Sequence, residues 1–543
     1  MKKVLSCIFS FFFLLHFFFP GFPVQAKSQA DNKKSKENLK IGNIFIINNN
    51  IFDTNEERFS GFPYIFINKL HIKTKKSFIQ RELLFKTGDN YYPELIEESE
   101  RNLRRYSFLK SVKIKPEFRD DHKVDISVIT EDQWTTGLDI RFKKFKGYSE
   151  YGIYLHESNF LGLGRKFNIG YKHTTEKNLG ELTYEDPHFL SSRWTLKGNF
   201  QETSDGKLKS AQLTYPFYSL LTDWSYGASF YDEKSVDRLY YEGNLGIEIP
   251  FQKTEGNVFL ARAWGLRKSK KKIWFSLSYY RKHFPEKSRI LEPFYYQNLK
   301  PTERETIILN STFTLDKFSY QKETFIDKFG RIEDLPIGSS WKVTLGRADR
   351  FFGSKDKYNF LSAEYINFSR FGLNKFLVLK GKVETRFTEE ELNNTLFKAF
   401  VHCYFKGFSH QTIAFNLMSE FTNKMDQPFQ LSLGENNGLR GYSFKRFNGQ
   451  KKILINLEDR IFTSIKIYTV ALGFAVFFDA GYVWEENEKI DLSDLKSSVG
   501  VGIRLGLTKS SGSKVIRIDF AYPLDGGGRF SVSFSSGQIF SIL

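Results

Sequence analysis

From Trp134 to the C-terminus, apolar and polar residues alternate in segment after segment, with turn residues between the segments. Alternation with a period of two places successive side chains on opposite faces of a β-strand. We count about twenty such segments, and most of them are about nine to twelve residues long, well above the usual five or six. The pattern predicts a large antiparallel sheet over residues 134–543.

The alternation is clearest in the segments 468–479, 498–508 and 514–522. One face of each is aliphatic or aromatic, and the other face is small, polar or charged, with Asp479 and Arg504 among its residues. A soluble sandwich also alternates, but a glycine-rich face would be a poor surface toward solvent. Strands long enough to cross a bilayer at a tilt favour a membrane β-barrel with a polar lumen.

The segment before the barrel predicts a small α+β unit at residues 65–133. Its expected elements are a strand, two helices and two strands, at residues 65–72, 77–85, 93–105, 108–116 and 123–132. The last two strands are candidates to pair with an extended client segment at a sheet edge. Lysine-rich edges serve equally well to block such pairing, so both interpretations stay open.

The N-terminus carries the pattern of a secretory signal peptide over residues 1–26. A basic start is followed by the apolar run 9–19 and by the small residues of Val24-Gln25-Ala26. Residues 27–64 are polar and rich in Asn and Lys, which predicts a linker with one short strand at 44–47. The chain is therefore expected to be exported.

Composition adds three constraints. Aromatic residues are 17% of the chain and Gly (39) far outnumbers Pro (14), which is typical of an all-β protein. The net charge is +18, but Lys and Arg are spread along the whole chain, so we expect a solvated surface, a polar lumen and contact with lipid head groups, and no nucleic-acid partner. Cys403 is the only cysteine after the predicted signal peptide, which excludes an intrachain disulfide there.

No catalytic pattern or metal-ligand spacing emerges from the sequence, so we predict neither an enzyme nor a cofactor. His residues are few and scattered. The run Gly162-Leu163-Gly164 could cradle a phosphate, but it does not join a strand to a helix, and a tight barrel turn is the better interpretation.

The stretch GENNGLRGYSFKRFNGQ, at 434–450, places an arginine in the middle of a Gly- and Asn-rich loop. The connection is too long for a tight hairpin, so it can fold back into the barrel. Arg440 would then meet Asp479 on the polar face of its strand. A guanidinium and a carboxylate can pair through two hydrogen bonds, which fixes geometry as well as adding energy.

These residues carry a family resemblance. The sequence Leu-Arg-Gly-Tyr at 439–442 is similar to the VRGF/VRGY loop signature of the BamA/TamA/FhaC superfamily of outer-membrane assembly and secretion barrels. Phe-Phe-Asp-Ala-Gly at 477–481 is similar to its F-x-D-x-G strand signature. The unit at 65–132 resembles a POTRA domain, and the stretches 157–165 and 516–524 resemble an early and a late strand of the same barrels.

The resemblance implies a barrel of about sixteen strands, possibly more, and a contact between the loop and the lumen wall. The residues expected in that contact are Leu439, Arg440, Gly441, Tyr442, Phe477, Asp479 and Gly481. Charges on the polar strand faces that could join it are Arg504, Arg517 and Asp519. Residues 536–542 also fit the pattern of a closing strand that is recognised during barrel insertion.

The expected function is to assist insertion or translocation of polypeptides at the bacterial outer membrane. The POTRA-like unit would lie in the periplasm and handle unfolded client polypeptides, nascent outer-membrane proteins or a periplasmic partner. Two alternatives stay open. One is a two-partner-type secretion pore, and the other is a passive porin or surface antigen.

Overall fold

The computed structural model describes residues 39–145, 148–291, 301–388, 391–508, 515–526 and 530–542. The predicted signal peptide and the start of the predicted linker lie outside these residues. No α-helix in the described residues is long and apolar enough to cross a bilayer.

The N-terminal unit is a three-stranded sheet with helices packed on it. Its strands are β1 (Lys40–Asn49), β2 (Leu109–Phe118) and β3 (Lys123–Asp132), and its helices are α1 (Phe62–Leu70), α2 (Lys76–Glu82) and α3 (Pro93–Arg104). The sheet order is β1-β3-β2, with β1 parallel and β2 antiparallel to β3. Phe78, Ile79 and Leu103 of the helices pack on Val124 and Ile126 of the sheet, which forms the core of the unit.

Two predictions for this unit are wrong. Residues 62–70 form a helix where a strand was expected at 65–72, because Pro63 stands in the first helical turn and the apolar residues follow helical spacing. The predicted linker is wrong for residues 40–49, which form the full strand β1. The bounds 65–133 for the unit stay a prediction, although its sheet begins at Lys40. Since β3 is the central strand, it has no free edge, and β1 and β2 are the edges.

Twenty strands in the described residues close into an antiparallel barrel, which confirms the predicted fold class, and a further two-residue strand, Arg289–Ile290, pairs with one of them. The first ten are β4 (Thr136–Phe145), β5 (Tyr148–Phe160), β6 (Arg165–Thr174), β7 (Asn178–Phe189), β8 (Trp194–Thr203), β9 (Gly206–Tyr215), β10 (Trp224–Tyr241), β11 (Asn244–Leu266), β12 (Ser269–His283) and β13 (Arg304–Glu323). The other ten are β14 (Glu333–Ala348), β15 (Tyr358–Phe371), β16 (Lys375–Phe387), β17 (Leu392–Phe405), β18 (Gln411–Asn423), β19 (Lys451–Ile467), β20 (Val470–Trp484), β21 (Lys496–Leu507), β22 (Val515–Pro523) and β23 (Ser531–Ser536). This number equals our count of alternating segments and exceeds the sixteen that the resemblance implies.

The predicted faces of the C-terminal strands are confirmed. Phe474, Val476 and Val501 are exposed on the outside of the barrel, whereas Asp479 and Arg504 are buried inside it. An apolar outer surface around a charged interior is the arrangement that a lipid bilayer requires of a barrel.

The barrel wall is uneven in height. Strand β11 has 23 residues and β13 has 20, whereas β23, which closes the barrel against β4, has six. At about 3.3 Å per residue, β11 is roughly 75 Å long, more than twice the hydrocarbon thickness of a bilayer. One side of the barrel is therefore much taller than the other, and the seam between β23 and β4 is its lowest part.

The N-terminal unit covers one mouth of the barrel, which we call the domain end; the opposite mouth is the loop end. Lys75 donates its backbone N–H to the carbonyl of Gly162 (2.9 Å), and the amide of Asn159 donates to the hydroxyl of Thr74 (2.8 Å). A Cβ at Gly162 would lie 2.3 Å from the carbonyl oxygen of Lys73, so only glycine fits there. The stretch 157–165 thus forms the turn on which the unit is seated.

The far side of the unit is fixed by ion pairs. Arg104 of α3 binds Asp334 through two hydrogen bonds of 2.9 and 2.8 Å, at the start of β14. Glu98 accepts from the backbone N–H of Leu220 at 2.6 Å. Contacts on both sides of the mouth hold the unit across the domain end rather than beside it.

Glu82 of α2 links the unit to the barrel through His188 of β7. One carboxylate oxygen lies 2.8 Å from the imidazole of His188 and accepts from the hydroxyl of Tyr106, also at 2.8 Å. Burial alone would raise the pKa of Glu82, but the hydrogen bonds and positive charge around it, mainly from His188, lower the pKa below the ordinary value of 4.5. The ionised carboxylate is therefore the form that the docked unit stabilises.

We predict that acid weakens the docking of the unit. Because the folded pKa of Glu82 is lowered, its contribution is complete above the ordinary value of 4.5 and is lost as the pH falls through the lowered pKa. Spin labels are placed at Phe118→Cys in the unit and at Leu373→Cys on the barrel, in a chain without other cysteines. Pulsed EPR should show that the distribution of distances between the two labels broadens at low pH. Glu82→Gln should broaden it already at neutral pH, and Glu97→Gln, at an exposed position of α3, should not. Equal behaviour of the two variants would contradict the assignment.

Candidate functional site in the barrel lumen

The connection between β18 and β19, residues 424–450, folds into the barrel from the loop end. Within it, Leu431–Leu433 pairs with Phe447–Gly449 as a short antiparallel hairpin. Leu439 is fully buried and packs with Tyr442 of the same loop against the wall. The loop has a small core of its own and is a folded plug, not a flexible strand connection.

Arg440, at the inner tip of the loop, meets Asp479 on the wall strand β20. Its Nε donates to Oδ2 at 2.7 Å and its Nη2 donates to Oδ1 at 2.8 Å. The guanidinium lies over the ring of Phe477, 3.3 Å from the centroid. Asn456 donates to Asp479 at 2.7 Å and to the carbonyl of Gly438 at 2.7 Å, so it joins the acid to the loop backbone. This is the bidentate, stacked geometry that a lysine could not reproduce.

A larger set of charges surrounds this pair. Glu458 of β19 accepts from Arg440 at 2.9 Å and from Arg504 at 3.1 Å, and it also pairs with Arg460 at 3.0 Å. Asp519 pairs with Arg504 at 2.7 Å, with Arg517 at 3.0 Å and with Arg440 at 3.4 Å. Counting Asp327, which binds Arg460 at 2.7 Å, four arginines and four acids meet in this part of the described structure. We call these eight residues the lumen ion cluster.

Burial makes the balance of charge essential. The side chains of Arg440, Glu458, Asp479 and Asp519 are at most 1% exposed. A charge removed from water costs several kcal/mol unless partners compensate it, and deleting one member of a buried pair typically costs about 3–5 kcal/mol. The cluster therefore stabilises the bound position of the loop only as a complete set.

Backbone geometry at Gly441 brings the loop to the wall. Its φ is +91°, and a Cβ there would lie 3.1 Å from Cγ of Pro523. The carboxylate of Glu435 accepts from the N–H of Gly441 at 2.6 Å, and the hydroxyl of Tyr442 donates to the carbonyl of Ser497 at 2.9 Å. On the wall, a Cβ at Gly481 would lie 2.8 Å from a methyl group of Leu433. Each glycine allows a close approach that a larger residue would prevent.

The C-terminal tail also lies inside the barrel. Strand β23 ends at Ser536, and Gly537, with a φ of +87°, begins the turn inward. Ile542 is fully buried, its N–H donates to Asp327 at 2.9 Å, and Arg460 donates to the carbonyl of Phe540 at 2.8 Å. The prediction that residues 536–542 form a closing strand is therefore wrong, because buried partners in the lumen hold the tail out of the sheet.

One continuous path of ion pairs and hydrogen bonds thus joins the loop to the tail. It runs from Arg440 through Glu458 and Arg460 to Asp327 and then to the backbone of Ile542. Asp327 belongs to the connection between β13 and β14, which folds inward from the domain end with Ile326 fully buried. The two ends of the lumen are joined through the wall residues Glu458 and Arg460.

At the loop end, the tall hairpin of β10 and β11 reaches over the plug. Gln430 exchanges two hydrogen bonds with the backbone of Tyr240, at 2.9 and 2.7 Å. Arg446 donates to the carbonyl of Glu242 at 3.0 Å, and Lys445 pairs with Glu176 at 2.9 Å. The loop is held from above by this hairpin and from below by the ion cluster.

Beside the plug, the lumen is open. A cavity of about 1170 Å³ lies mainly against strands β5 to β13, and polar side chains such as Asn168, Asn199, Ser229 and Asn257 face it. The plug lies against the wall strands β19 to β22, and the tail packs mainly on β14 to β18, where Ile542 shares a buried cluster with Leu335, Val378 and Tyr404. The barrel interior is thus divided into a filled half and a polar, empty half.

The structure brings all ten sequence-predicted site residues into this region. Arg440 contacts Asp479 and Phe477, Leu439 and Tyr442 share one buried cluster, Gly441 and Gly481 lie where loop and wall approach, and Arg504, Arg517 and Asp519 belong to the ion cluster. Sequence reasoning missed Glu458, Arg460 and Asp327. Glu458 and Arg460 occupy alternate positions of one strand, but Asp459 between them obscures the polar face. Asp327 lies in a connection whose inward fold no local pattern reveals.

A profile of the Omp85 superfamily domain matches residues 159–540, and a POTRA profile, described as surface antigen variable number repeat, matches residues 65–131. The chain belongs to the Omp85 superfamily. Omp85 barrels are bacterial outer-membrane proteins with periplasmic POTRA domains, and their known roles are in protein assembly and transport.

Solved structures of Omp85 proteins are similar to this chain. CdiB from Escherichia coli is 11% identical, with a TM-score of 0.45 and coverage of 92% of this chain and 76% of that one. CdiB from Acinetobacter baumannii is 11% identical, with a TM-score of 0.42 and coverage of 92% and 74%. BamA from Haemophilus ducreyi lacking POTRA domains 1–3 is 14% identical, with a TM-score of 0.39 and coverage of 90% and 84%. No curated protein matches the sequence.

We predict that Arg440→Ala and Asp479→Ala release the loop at residues 424–450 from the barrel wall to the same extent. Each change leaves a buried charge without its partner and should cost about 3–5 kcal/mol. The double variant should cost less than the sum of the two, with a coupling of about 1–3 kcal/mol. The measurement is hydrogen exchange of the loop amides 431–449 in the reconstituted protein. Strictly additive losses would show that the two residues do not act as a pair.

We also predict that Gly441→Ala weakens the same contact. The positive φ and the short distance to Pro523 together oppose a side chain here, with an expected loss of about 1–3 kcal/mol. Gly198→Ala is the matched control, because a Cβ at Gly198 meets nothing within 4 Å. The measurement is gel electrophoresis after heating, in which a folded barrel and an unfolded chain migrate differently. The temperature at which the barrel unfolds should fall for Gly441→Ala only. A fall of the same size for both would contradict a specific role of Gly441.

Proposed function

We propose that this protein is an outer-membrane assembly factor that passes client polypeptides into the bilayer through the seam between β4 and β23. In this proposal the domain end faces the periplasm and the POTRA domain receives unfolded chains there. The clients are nascent outer-membrane proteins or other exported polypeptides that must leave water for lipid.

The observation that carries the proposal is the length of the closing strand. Strand β23 has six residues and β4 has ten, so at least four residues of β4 have no partner on β23 in the described structure. The other nineteen strands that close the barrel have nine residues or more, and the two-residue strand Arg289–Ile290 only adds to the edge of β11. Unpaired backbone at a strand edge is a template on which an extended chain can add as a new strand.

The inward tail supports the same proposal. Residues 537–542 could lengthen the seam if they continued strand β23. They do not, because the tail binds Arg460 and Asp327 in the lumen. Across the short seam, the rings of Phe142 and Phe534 are in contact, with centroids 6.1 Å apart. Few interactions between β4 and β23 close the seam. A client strand that enters the seam would therefore have to replace only those few interactions.

The POTRA domain offers one further surface for clients. Strand β2 is an edge of its sheet, whereas β3, the other candidate of the sequence analysis, is enclosed on both sides. An extended client could pair with β2 by backbone hydrogen bonds without regard to its sequence. The exposed lysines of β2 would then favour acidic or neutral segments.

A two-partner-type secretion pore is the second candidate, and the cavity favours it. The polar half of the lumen, about 1170 Å³, provides space for an extended polypeptide beside the plug. The loop, however, is bound to the wall through buried charges, and a pore would have to displace it. A passive porin or surface antigen has no use for a POTRA domain across its mouth.

Two cross-links distinguish the insertion and secretion proposals. The first joins β4 to β23 through Phe142→Cys and Phe534→Cys with a short bismaleimide. The second joins the loop to the wall through Phe447→Cys and Tyr482→Cys, at positions where the two rings pack with centroids 5.1 Å apart. Both are made with Cys403→Ser, in cells where the native protein is depleted, and the abundance of outer-membrane and secreted proteins is measured by mass spectrometry.

Insertion through the seam predicts that the first cross-link abolishes client accumulation and that the second is tolerated. The single-cysteine variants, which cannot cross-link, are the matched controls. A functional seam-locked protein would overturn the proposal, and loss of secreted proteins with the loop-locked variant alone would favour the pore.

A further inference from the structure

Helix α1 presents an apolar face that no described part of the chain covers. Phe62 is 77% exposed, and Phe66 and Leu70 are exposed to 48% and 57%. Their spacing of four residues places them on one face of the helix. Exposed aromatic and aliphatic side chains grouped in this way mark a contact surface.

The opposite face of α1 is fixed to the POTRA domain. The amide of Asn68 donates to the carbonyl of Phe52 at 2.8 Å and accepts from its N–H at 3.2 Å. The ring of Tyr64 packs on the rings of Phe52 and Phe59, with centroids 4.8 and 5.1 Å away. The orientation of the helix is therefore set, with the face of Phe62, Phe66 and Leu70 directed outward.

The helix lies at the end of the POTRA domain that touches the barrel. Strand β1 runs from the distal end of the sheet, where Lys40 pairs with Lys123, to the barrel end, where Asn49 pairs with Glu131. After α1, the chain reaches Lys75, whose N–H is bonded to Gly162 in the turn between β5 and β6. Lys75 follows Leu70 by five positions in the sequence, so the helix ends within roughly 17 Å of that contact.

The neighbouring rim of the barrel continues the apolar surface. Phe160 and Leu161, next to Gly162, are exposed on the outside of the barrel. The ring of Phe160 packs on Phe167, which packs on Tyr184, with centroids 5.0 and 4.8 Å apart. Such aromatic rows mark the level where the lipid-facing surface of a barrel meets the head groups.

The charge near α1 is suited to an anionic surface. Lys69, Lys73, Lys75 and Lys76 are exposed at the end of α1 and just after it, and α1 contains no acidic residue, whereas the exposed Asp53, Glu56 and Glu57 lie before its N-terminus. Lysines beside an apolar helical face are the pattern of helices that lie in a membrane interface. Residues 27–38 of the chain are polar, with Ala30 their most apolar side chain, and would be a poor cover for two phenylalanines.

We propose that α1 is an interfacial anchor that lies in the head-group region of anionic phospholipid around the domain end of the barrel. The apolar face enters the boundary of the acyl chains, and the lysines contact lipid phosphates. The anchor would hold the POTRA domain at the bilayer surface beside β5, independently of how clients are handled.

The test uses the full chain with Cys7→Ser and Cys403→Ser and one new cysteine labelled with bimane. The label is placed at Phe66→Cys, or at Phe118→Cys as the matched control. Phe118 is also an exposed aromatic of the POTRA domain, but it lies at the distal end of β2, roughly 30 Å from the barrel end. The protein is reconstituted in vesicles of phosphatidylethanolamine and phosphatidylglycerol, with or without brominated acyl chains.

The expected result is that brominated lipid quenches the label at 66 by about half and leaves the label at 118 unchanged. Vesicles without phosphatidylglycerol should give weaker quenching at 66. Equal accessibility of both labels to aqueous iodide would overturn the proposal. So would a label at 66 that neither lipid nor iodide reaches, because a protein partner or a second copy would then cover the helix. Quenching that is independent of phosphatidylglycerol would overturn the part assigned to the lysines.

Discussion

The interior of this barrel depends on the carboxylate of Glu458. It has no access to water, and it is shared by Arg440 of the loop, Arg504 of β21 and Arg460 of its own strand. Without that negative charge, three guanidinium groups would face one another in a medium that screens them weakly. Plug, wall and tail are held in one arrangement because each supplies part of a charge balance that none could satisfy alone.

Closure of the sheet imposes a second constraint. A barrel in lipid must pair the backbone of every strand, and nineteen of the twenty described barrel strands have nine residues or more with which to do so. Only the last is short, since its continuation is drawn into the lumen by Asp327 and Arg460. The same buried charges that hold the plug therefore also determine how much of the seam is paired.

The sequence pattern was sufficient to predict the β-strands of the barrel, in which apolar and polar residues alternate. Alternation predicted the barrel and the direction of its apolar face, and the position of Asp479 on the polar face of its strand placed it opposite Arg440. The barrel has more strands than the roughly sixteen that we expected from the resemblance. The pattern failed where tertiary contacts decide. The short strand predicted at 44–47 is the centre of β1, whose full length of 40–49 is set by its pairing with β3, and residues 62–70 are apolar enough to suit either a strand or a helix. The inward folds of Asp327 and of the tail are set by partners 80 to 215 residues away in the sequence.

The divided lumen has an electrical consequence. The diameter of a barrel grows about linearly with strand number, so twenty strands make a cylinder about a quarter wider than sixteen. A plug bound to one side of it leaves a crescent of water along the other. Even with the arginine in place, inorganic ions would pass through that crescent, and the resting conductance of the protein would depend on how tightly the small domain at its mouth is seated.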